Sequence, residues 1–372
     1  MFGSLAHAGK GRKQPEPDPV VEPEPETPEP TAVFTGPLPV DIGDLPAGLA
    51  NRSSQGCNAC HFAAHDSWAE SAHATGHGGE AFVAAVAEIG TPACTVCHLP
   101  LASQQPVLVA FDTDDVNRPL GDVNPNYNAT LHSEGVTCAS CHVRGGKVIG
   151  ASPTPGAAPH PTGWSPELRE SKFCATCHQL TWPGANEPLY DTYGEWQRSP
   201  QAAAGITCQD CHMSPGASAD QRGSNHSFTS AAGRAVSILV DIAAGPVIRG
   251  GDPVEAVVAL QNTGAGHAWP TGSPFRGIRL EIFLESMGTE EPVRAAAQQI
   301  DLVRSLEDAA PWKTVADTRL APGEERRIDW RGELTHEAPA GPWFLVVQAT
   351  PTVLGEPAGA AVVERRIPVR VE

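Results

Sequence analysis

The chain is poor in methionine, tyrosine and positive charge. Only Met1, Met213 and Met287 occur in its 372 residues, and only three tyrosines, Tyr127, Tyr190 and Tyr193. Lysine and arginine number 25 against 43 aspartates and glutamates, a formal net charge of −18. That balance argues against nucleic acid or an anionic membrane surface as partner and suits basic protein partners. No apolar run is long enough to span a bilayer as a helix. Cysteine is not scarce, but none is spare: all ten fall into five pairs of one spacing.

Those pairs are Cys57 and Cys60, Cys94 and Cys97, Cys138 and Cys141, Cys174 and Cys177, and Cys208 and Cys211. A histidine follows each at once: His61, His98, His142, His178 and His212. Two thiols three positions apart can reach the two vinyl groups on one edge of a haem. The next residue then lies under the iron and offers an imidazole nitrogen, so Cys-x-x-Cys-His reads as c-type haem attachment. A disulfide framework would not require a histidine after every second cysteine. Zinc sites pair such units with a second pair or a distant His-x-His, and a thioredoxin-like motif would be single. The expectation is five covalently bound haems, with the ten cysteines as attachment points and the five histidines as proximal ligands.

This attachment takes place outside the cytoplasm in bacteria, so the protein is expected to be exported, to the periplasm or the cell surface. Ala6-His7-Ala8 before Gly9 has the small-x-small form of a cleavage site, and residues 2–5 could end an apolar segment. The start therefore reads as lying inside a signal peptide or as left by its trimming, with an unprocessed start as the alternative. Residues 1–50 then read as a disordered or extended tail or linker. Pro15-Glu16-Pro17-Asp18-Pro19 and Glu22-Pro23-Glu24-Pro25-Glu26 favour a solvated, polyproline-like spacer.

Residues 51–229 hold all five motifs, one every few tens of residues. A segment this thin in large apolar side chains needs porphyrins as much of its core. The expected fold is haem-dense, mainly short helices and loops with little sheet. An imperfect repeat runs through it: Trp68-x-x-Ser71-x-His73 resembles Trp196-x-x-Ser199-x-Gln201, and Gly135-Val136-Thr137-Cys138 matches Gly205-Ile206-Thr207-Cys208. Over 230–372 the period changes to two. Val236, Ile238, Val240 and Ile242 alternate with other residues, as do Val254 to Leu260, Ile278 to Leu284, and Ile367, Val369 and Val371. With further strands near 300–303, 326–330 and 343–348, this half is expected to form an antiparallel immunoglobulin-like β-sandwich.

The scarcity of methionine decides the second axial ligand. Met213 directly follows a proximal histidine and cannot reach round to the same iron, so thioether ligation is nearly excluded by supply. Nine histidines remain, and five sit in distinctive settings: His73 in the repeat, His132 six residues before Cys138, His160 in Ala-Pro-His-Pro, His226 in Asn-His-Ser-Phe, and His267 in a glycine- and proline-flanked turn. These five are the distal candidates. His65 and His77 are reserves near His73, while His7 and His336 have no notable context. A ligand at His267 would clamp the C-terminal half onto the motif-bearing half.

At these residues the chain resembles the multihaem cytochromes around cytochrome c554, hydroxylamine oxidoreductase and pentahaem nitrite reductase. The likeness covers about 51–280, through Trp68-x-x-Ser71-x-His73, His132-x-x-Gly135-Val136-Thr137-Cys138, Phe173-Cys174-Ala175-Thr176-Cys177-His178 and Gly205-Ile206-Thr207-Cys208-Gln209-Asp210-Cys211-His212-Met213. The Gly266-His267-x-x-Pro270-Thr271-Gly272 turn is similar to the distal-ligand turn of a related group with a C-terminal sandwich. The resemblance implies that the histidines of the first two phrases and of this turn are distal ligands. It also implies the electron-carrier branch: the nitrite reductases place lysine after the second cysteine of the catalytic motif, and no tyrosine here matches the crosslinking one of the oxidoreductases.

Two weaker signals complete the reading. Asp112-x-Asp114-Asp115-x-Asn117 offers hard oxygen ligands for Ca2+, although the glycine and terminal glutamate of an EF-hand loop are missing. Asn128-Ala-Thr130 fits a glycosylation sequon. The leading functional expectation is electron transfer between redox partner proteins. A second is a multihaem oxidoreductase acting on a small nitrogen or sulfur oxyanion at one open haem, motivated by Gln201 in a histidine position. A third is self-association, as a dimer or as a subunit of an extracellular polymeric cytochrome wire, with a distal histidine lent by a neighbour.

Overall fold

The computed structural model describes residues 29–33, 39–89, 92–108, 123–153, 158–214, 224–228, 236–242, 247–287 and 292–372. The start of the chain, the acidic proline-rich stretch and the Asp112 loop proposed for calcium lie outside the described residues.

The motif-bearing half contains α1 (Ser54–Ala69), α2 (Ala72–Thr75), α3 (Glu80–Ile89), α4 (Thr95–His98), α5 (Ala129–His132), α6 (Cys138–His142), α7 (Ser171–His178), α8 (Thr192–Gln197), α9 (Pro200–Ala203) and α10 (Cys208–His212). Four motifs share one local geometry. The helix runs through the second cysteine and stops at the histidine, in α4, α6, α7 and α10. The N–H of the next residue closes the turn onto the residue after the first cysteine: Leu99 onto Thr95, Val143 onto Ala139, Gln179 onto Ala175, Met213 onto Gln209. The first motif lies inside α1, which instead kinks at His61 (φ −111°, ψ 38°). One helical turn puts both thiols and the imidazole on one side, and leaving the helix at the histidine frees its ring to turn outward.

Short strands follow two of these helices. β1 (Val143–Arg144) and β2 (Lys147–Gly150) form a hairpin after α6, and β3 (Thr162–Trp164) adds parallel to β2. The hairpin turn is Gly145-Gly146, both at positive φ (54° and 71°), the left-handed conformation that a two-residue hairpin requires and glycine adopts without strain. β4 (Leu180–Thr181) and β5 (Pro188–Tyr190) follow α7. Residues from the first fifty pack here as well. Val33 and Ile42 are buried, and Val40 bridges to Leu101. Asn128, which heads the sequon, uses its side-chain oxygen to cap α5 at Leu131 N.

The second half is strand: β6 (Val236–Ile242), β7 (Val247–Ile248), β8 (Pro253–Asn262), β9 (Arg276–Ser286), β10 (Arg294–Leu302), β11 (Arg304–Leu306), β12 (Thr314–Asp317), β13 (Glu325–Glu333), β14 (Gly341–Val353), β15 (Glu356–Pro357) and β16 (Val363–Val371). One sheet has the order β10-β9-β14-β16-β7 with β15 beside β14, and another the order β13-β8-β6. They enclose a single core, with Leu260, Leu280, Ile282, Leu284, Leu302, Leu320, Leu345 and Val347 fully buried. The period-two pattern is the cause. In β8, Val254, Ala256, Val258 and Leu260 point inward while Glu255 stays exposed.

The expected fold class needs correcting. The described residues are mostly sheet, not a haem-dense assembly of short helices and loops: sixteen strands form five sheets, and two of those sheets lie in the motif-bearing half. Among the described residues no three His, Cys, Asp or Glu gather as a metal-holding group. Helix is confined to the motif turns and a few flanking segments, because glycine, proline and hairpin chemistry dictate the connections between motifs. The second half is not a purely antiparallel immunoglobulin-like sandwich either. Its larger sheet curls into a half-barrel, and β7 pairs parallel with β16, Val247 opposite Arg370.

Ile282, fully buried between the two sheets, gives a direct check on this core. Ile282→Ala should cost about 2–5 kcal/mol of stability by urea unfolding, and Val315→Ser on the exposed face of β12 less than about 0.5 kcal/mol. Equal effects would contradict the assigned core.

Candidate metal centres

Three of the five motif histidines face a second imidazole from another part of the chain. His142 stands opposite His226 with ring centres 6.2 Å apart. His178 stands opposite His73 at 6.3 Å, and His212 opposite His267 at 6.2 Å. A metal bonded at about 2 Å to a nitrogen of each ring, with each nitrogen about 1.1 Å from its ring centre, sets the centres about 6.2–6.3 Å apart. All three second rings belong to the five distal candidates.

The other ring nitrogens support the same reading. Nδ1 of His142 donates to the Ile149 carbonyl (2.8 Å), that of His226 to Ser224 (2.9 Å), that of His267 to Ala268 (2.9 Å) and that of His132 to Gln104 (2.7 Å). His212 makes a longer contact to Phe228 (3.4 Å). A carbonyl only accepts, so each of these rings carries its proton on Nδ1 and keeps the Nε2 lone pair for a metal. Burial favours the neutral form, the one that ligates, at several of the motif and candidate histidines. It pulls His73 down to about 4, helped by the neighbouring His178, and His98 likewise to about 4. Burial also lowers His142, His178, His226 and His267.

Two motifs are not matched in this way. His61 lies on the exposed kink of α1, and His98 stacks on Phe82 with ring centres 4.1 Å apart. Among the described residues neither forms a histidine pair of the kind above. His132 instead meets the reserve His77 edge-on at 5.6 Å. Nδ1 of both His77 and His160 is buried with no hydrogen-bond partner.

Thiols of different motifs touch. Cys57 hydrogen-bonds Cys138, Cys97 bonds Cys177, and Cys174 bonds Cys208. The shared proton pulls Cys57, Cys97 and Cys208 down and pushes their partners up. Cys141 lies near enough to Cys174 and Cys177 to act on both electrostatically. The first motif therefore adjoins the third, the third adjoins the fourth, and the fourth adjoins both the second and the fifth. Cys60 and Cys211 are the exposed cysteines, and the other eight are partly covered.

Buried polar groups hold the motifs together. Glu134 accepts from Ser54 N (3.0 Å) and from the hydroxyls of Ser53, Ser54 and Thr137. It thus caps the start of α1 and ties it to the loop before α6. Arg144 donates to the carbonyls of Val33, Ala139, Val143 and Ser140 around the third motif. Cys94, Cys97 and His98 border a small cavity walled by Trp182, Tyr190, Phe275 and Trp312, an aromatic box drawn from both halves. Trp182 and Trp312 meet there at 4.8 Å.

The repeat is structural as well as sequential. Trp68 donates its indole N–H to Val136 O, and Trp196 does the same to Ile206 O, both at 2.9 Å. Ser71 caps α2 at Ala74 N and Ser199 caps α9 at Ala202 N. Each Trp-x-x-Ser element thereby seats on the loop before a motif. The copies part at the sixth position. His73 faces His178, whereas Gln201 lies under Gly266: a Cβ there would stand 3.2 Å from both Gln201 Cβ and Trp196 Cδ1. Gly266 lets the turn lie flat on α8 and α9, and the next residue is His267. Glu195, also at this contact, carries no motif signal in the sequence.

Beside that contact opens a charged cleft of about 570 Å³ bordered by Glu187, Asp191, Glu195, Arg198, Arg304 and Arg319. Its arginines are committed: Arg198 to Asp191, Arg319 to Asp317 and Glu195, and Arg304 to the carbonyls of Pro188 and Leu189.

No family model and no curated protein matches the chain. Solved structures with some likeness include a β-glucosidase from Listeria innocua in complex with glucose, 13% identical over 37% of this chain and 16% of that one, TM-score 0.19. The alkylpurine DNA glycosylase AlkC of Pseudomonas fluorescens is 14% identical over 37% of this chain and 30% of its own, TM-score 0.20. The sporulation control protein Spo0M of Bacillus subtilis is 14% identical over 37% of this chain and 49% of its own, TM-score 0.18. This chain thus spans less than half of each of them, and at such scores none bears on its fold or function.

Glu134→Ala leaves the donors of Ser53, Ser54 and Thr137 without their acceptor. It should lower stability by about 1–3 kcal/mol in denaturant unfolding. A loss below about 0.5 kcal/mol would show that the carboxylate does not join the first and third motifs.

Proposed function

We propose that this chain carries electrons through five covalently attached c-type haems outside the cytoplasm, in the periplasm or at the cell surface. The observation that carries the proposal is the set of three histidine pairs at 6.2–6.3 Å, each joining a motif histidine to one from elsewhere. The bound groups supply one-electron exchange at iron. The chain supplies ligands, spacing and shielding. Imidazole on both faces, with no thioether to raise the potential, suits low-potential carriers. His73, His226 and His267 are assigned to the irons held at His178, His142 and His212, and His132 and His160 remain the candidates for the other two. On this reading the chain belongs with the multihaem cytochromes it resembles, on their electron-carrier branch, with 51–229 as the haem-bearing unit and 230–372 contributing His267.

The thiol contacts suggest the route. Electrons would pass from the first motif to the third, fourth and fifth, with the second attached to the fourth beside the aromatic box. Exchange with partners would take place at the two ends, where Cys60 and Cys211 are exposed. The net charge of −18 favours basic redox partners, with association that weakens as salt rises.

His267→Ala tests the least local assignment. Magnetic circular dichroism of the ferric variant should show one of five irons converted from low to high spin, and its reduced form should bind carbon monoxide at that iron. Five unchanged low-spin irons would overturn the assignment.

A further inference from the structure

His267 is presented by a turn of the strand half, yet the residue after it is gripped from the motif-bearing half. Glu195 on α8 has a side chain only 9% exposed. Its Oε2 accepts from Ala268 N (3.1 Å) and from the Thr271 hydroxyl (2.6 Å). Its Oε1 receives Arg319 (2.9 Å), itself tied to Asp317 (2.7 Å). Thr192 adds a hydroxyl contact to Thr271 (3.0 Å). From its own sheet the turn is held by Asn262, whose amide donates to the carbonyls of His267 (2.9 Å) and Leu320 (3.1 Å).

The geometry of residue 268 connects the carboxylate to the ligand. Its N–H is held by Glu195, and its carbonyl receives the proton of His267 Nδ1 (2.9 Å). Fixing the backbone of that residue fixes the rotation of the imidazole. Asn262 grips the backbone but not the ring, so it sets where the turn lies and not where Nε2 points. A carboxylate fits this post because one oxygen can take two donors while the other takes a guanidinium. The first copy of the repeat has Ser67 where Glu195 stands, and there His73 serves from within its own copy. A carboxylate clamp is needed where the ligand comes from the other half of the chain.

We infer that Glu195 is a positioning residue for His267, acting through the backbone of Ala268 and through Thr271 to keep the imidazole aimed at the metal opposite His212. The inference rests on the ligand assignment proposed above, and its test separates the two. Glu195→Ala, Glu195→Gln and His267→Ala variants would be prepared with full haem content verified by intact mass. Low-temperature electron paramagnetic resonance of the ferric proteins would be compared with reductive titrations. Glu195→Ala should change the g-values and the potential of a single haem, the same one whose signal His267→Ala removes. Glu195→Gln retains an oxygen for Ala268 and Thr271, so it should restore the native signal while shifting the potential slightly.

Five native signals in Glu195→Ala, with one lost in His267→Ala, would overturn the role of Glu195 alone. Five native signals in both variants would overturn the ligand assignment and the inference together. If Glu195→Ala does not accumulate, Thr271→Val removes the shorter of the two turn contacts. It should move the same haem's g-values, and an unchanged spectrum would overturn the inference.

Discussion

On the proposed reading, the organising constraint is that two imidazoles from distant parts of one chain must meet across a single metal atom. It fixes a distance between ring centres that packing of protein alone has no reason to select. His142, His178 and His212 each meet a partner at that distance, and the partners come from three different settings: the helix α2, the 224–228 segment and a turn between strands. Much of the surrounding structure serves this requirement. Four of the five motif helices stop at the histidine, Nδ1 protons are tied to backbone carbonyls, and buried groups such as Glu134 and Arg144 hold the motif turns in place. Desolvation lowers the pKa of His73, His142, His178, His226 and His267 and so favours the neutral state in which they ligate.

The same requirement explains why the two halves dock with polar as well as apolar contacts. An apolar contact, such as Trp182 against Trp312, gives adhesion without direction. Aiming an imidazole needs fixed angles, and those come from Glu195, Thr271, Arg319 and Thr192. Gly266 removes the one side chain that would keep the turn off α8 and α9. The Gln201 that replaces a histidine in the repeat lies beneath this turn, and the imidazole opposite His212 is His267. The substitution that first suggested an open haem therefore coincides with the place where the other half of the chain contributes a ring.

What was legible in the sequence follows from how local each signal is. The five motifs are contiguous, and their helical turns could be read directly. The four alternating segments became β6, β8, β9 and β16, and the three further strands fall in β10, β13 and β14, because period-two burial is a property of a strand by itself. The overall architecture was not legible. The small sheets after α6 and α7 depend on hairpin turns such as Gly145-Gly146, and the parallel pairing of β7 with β16 depends on contacts more than a hundred residues apart. Histidine supply and context singled out His73, His226 and His267 but could not say which motif each would face. Glu195 was invisible, since an isolated glutamate before a tryptophan carries no pattern until the turn it holds has been folded against it.

The central claim is that five irons are held covalently and that paired histidines complete their coordination. Intact-mass analysis and magnetic circular dichroism of the protein from its natural host, or from a host that attaches c-type haem, test it together. The account predicts a mass increment of five haems, no free thiol, and near-infrared charge-transfer bands of bis-histidine ligation for at least the three paired irons. Thiols that alkylate freely, or spectra without bis-histidine bands, would contradict it.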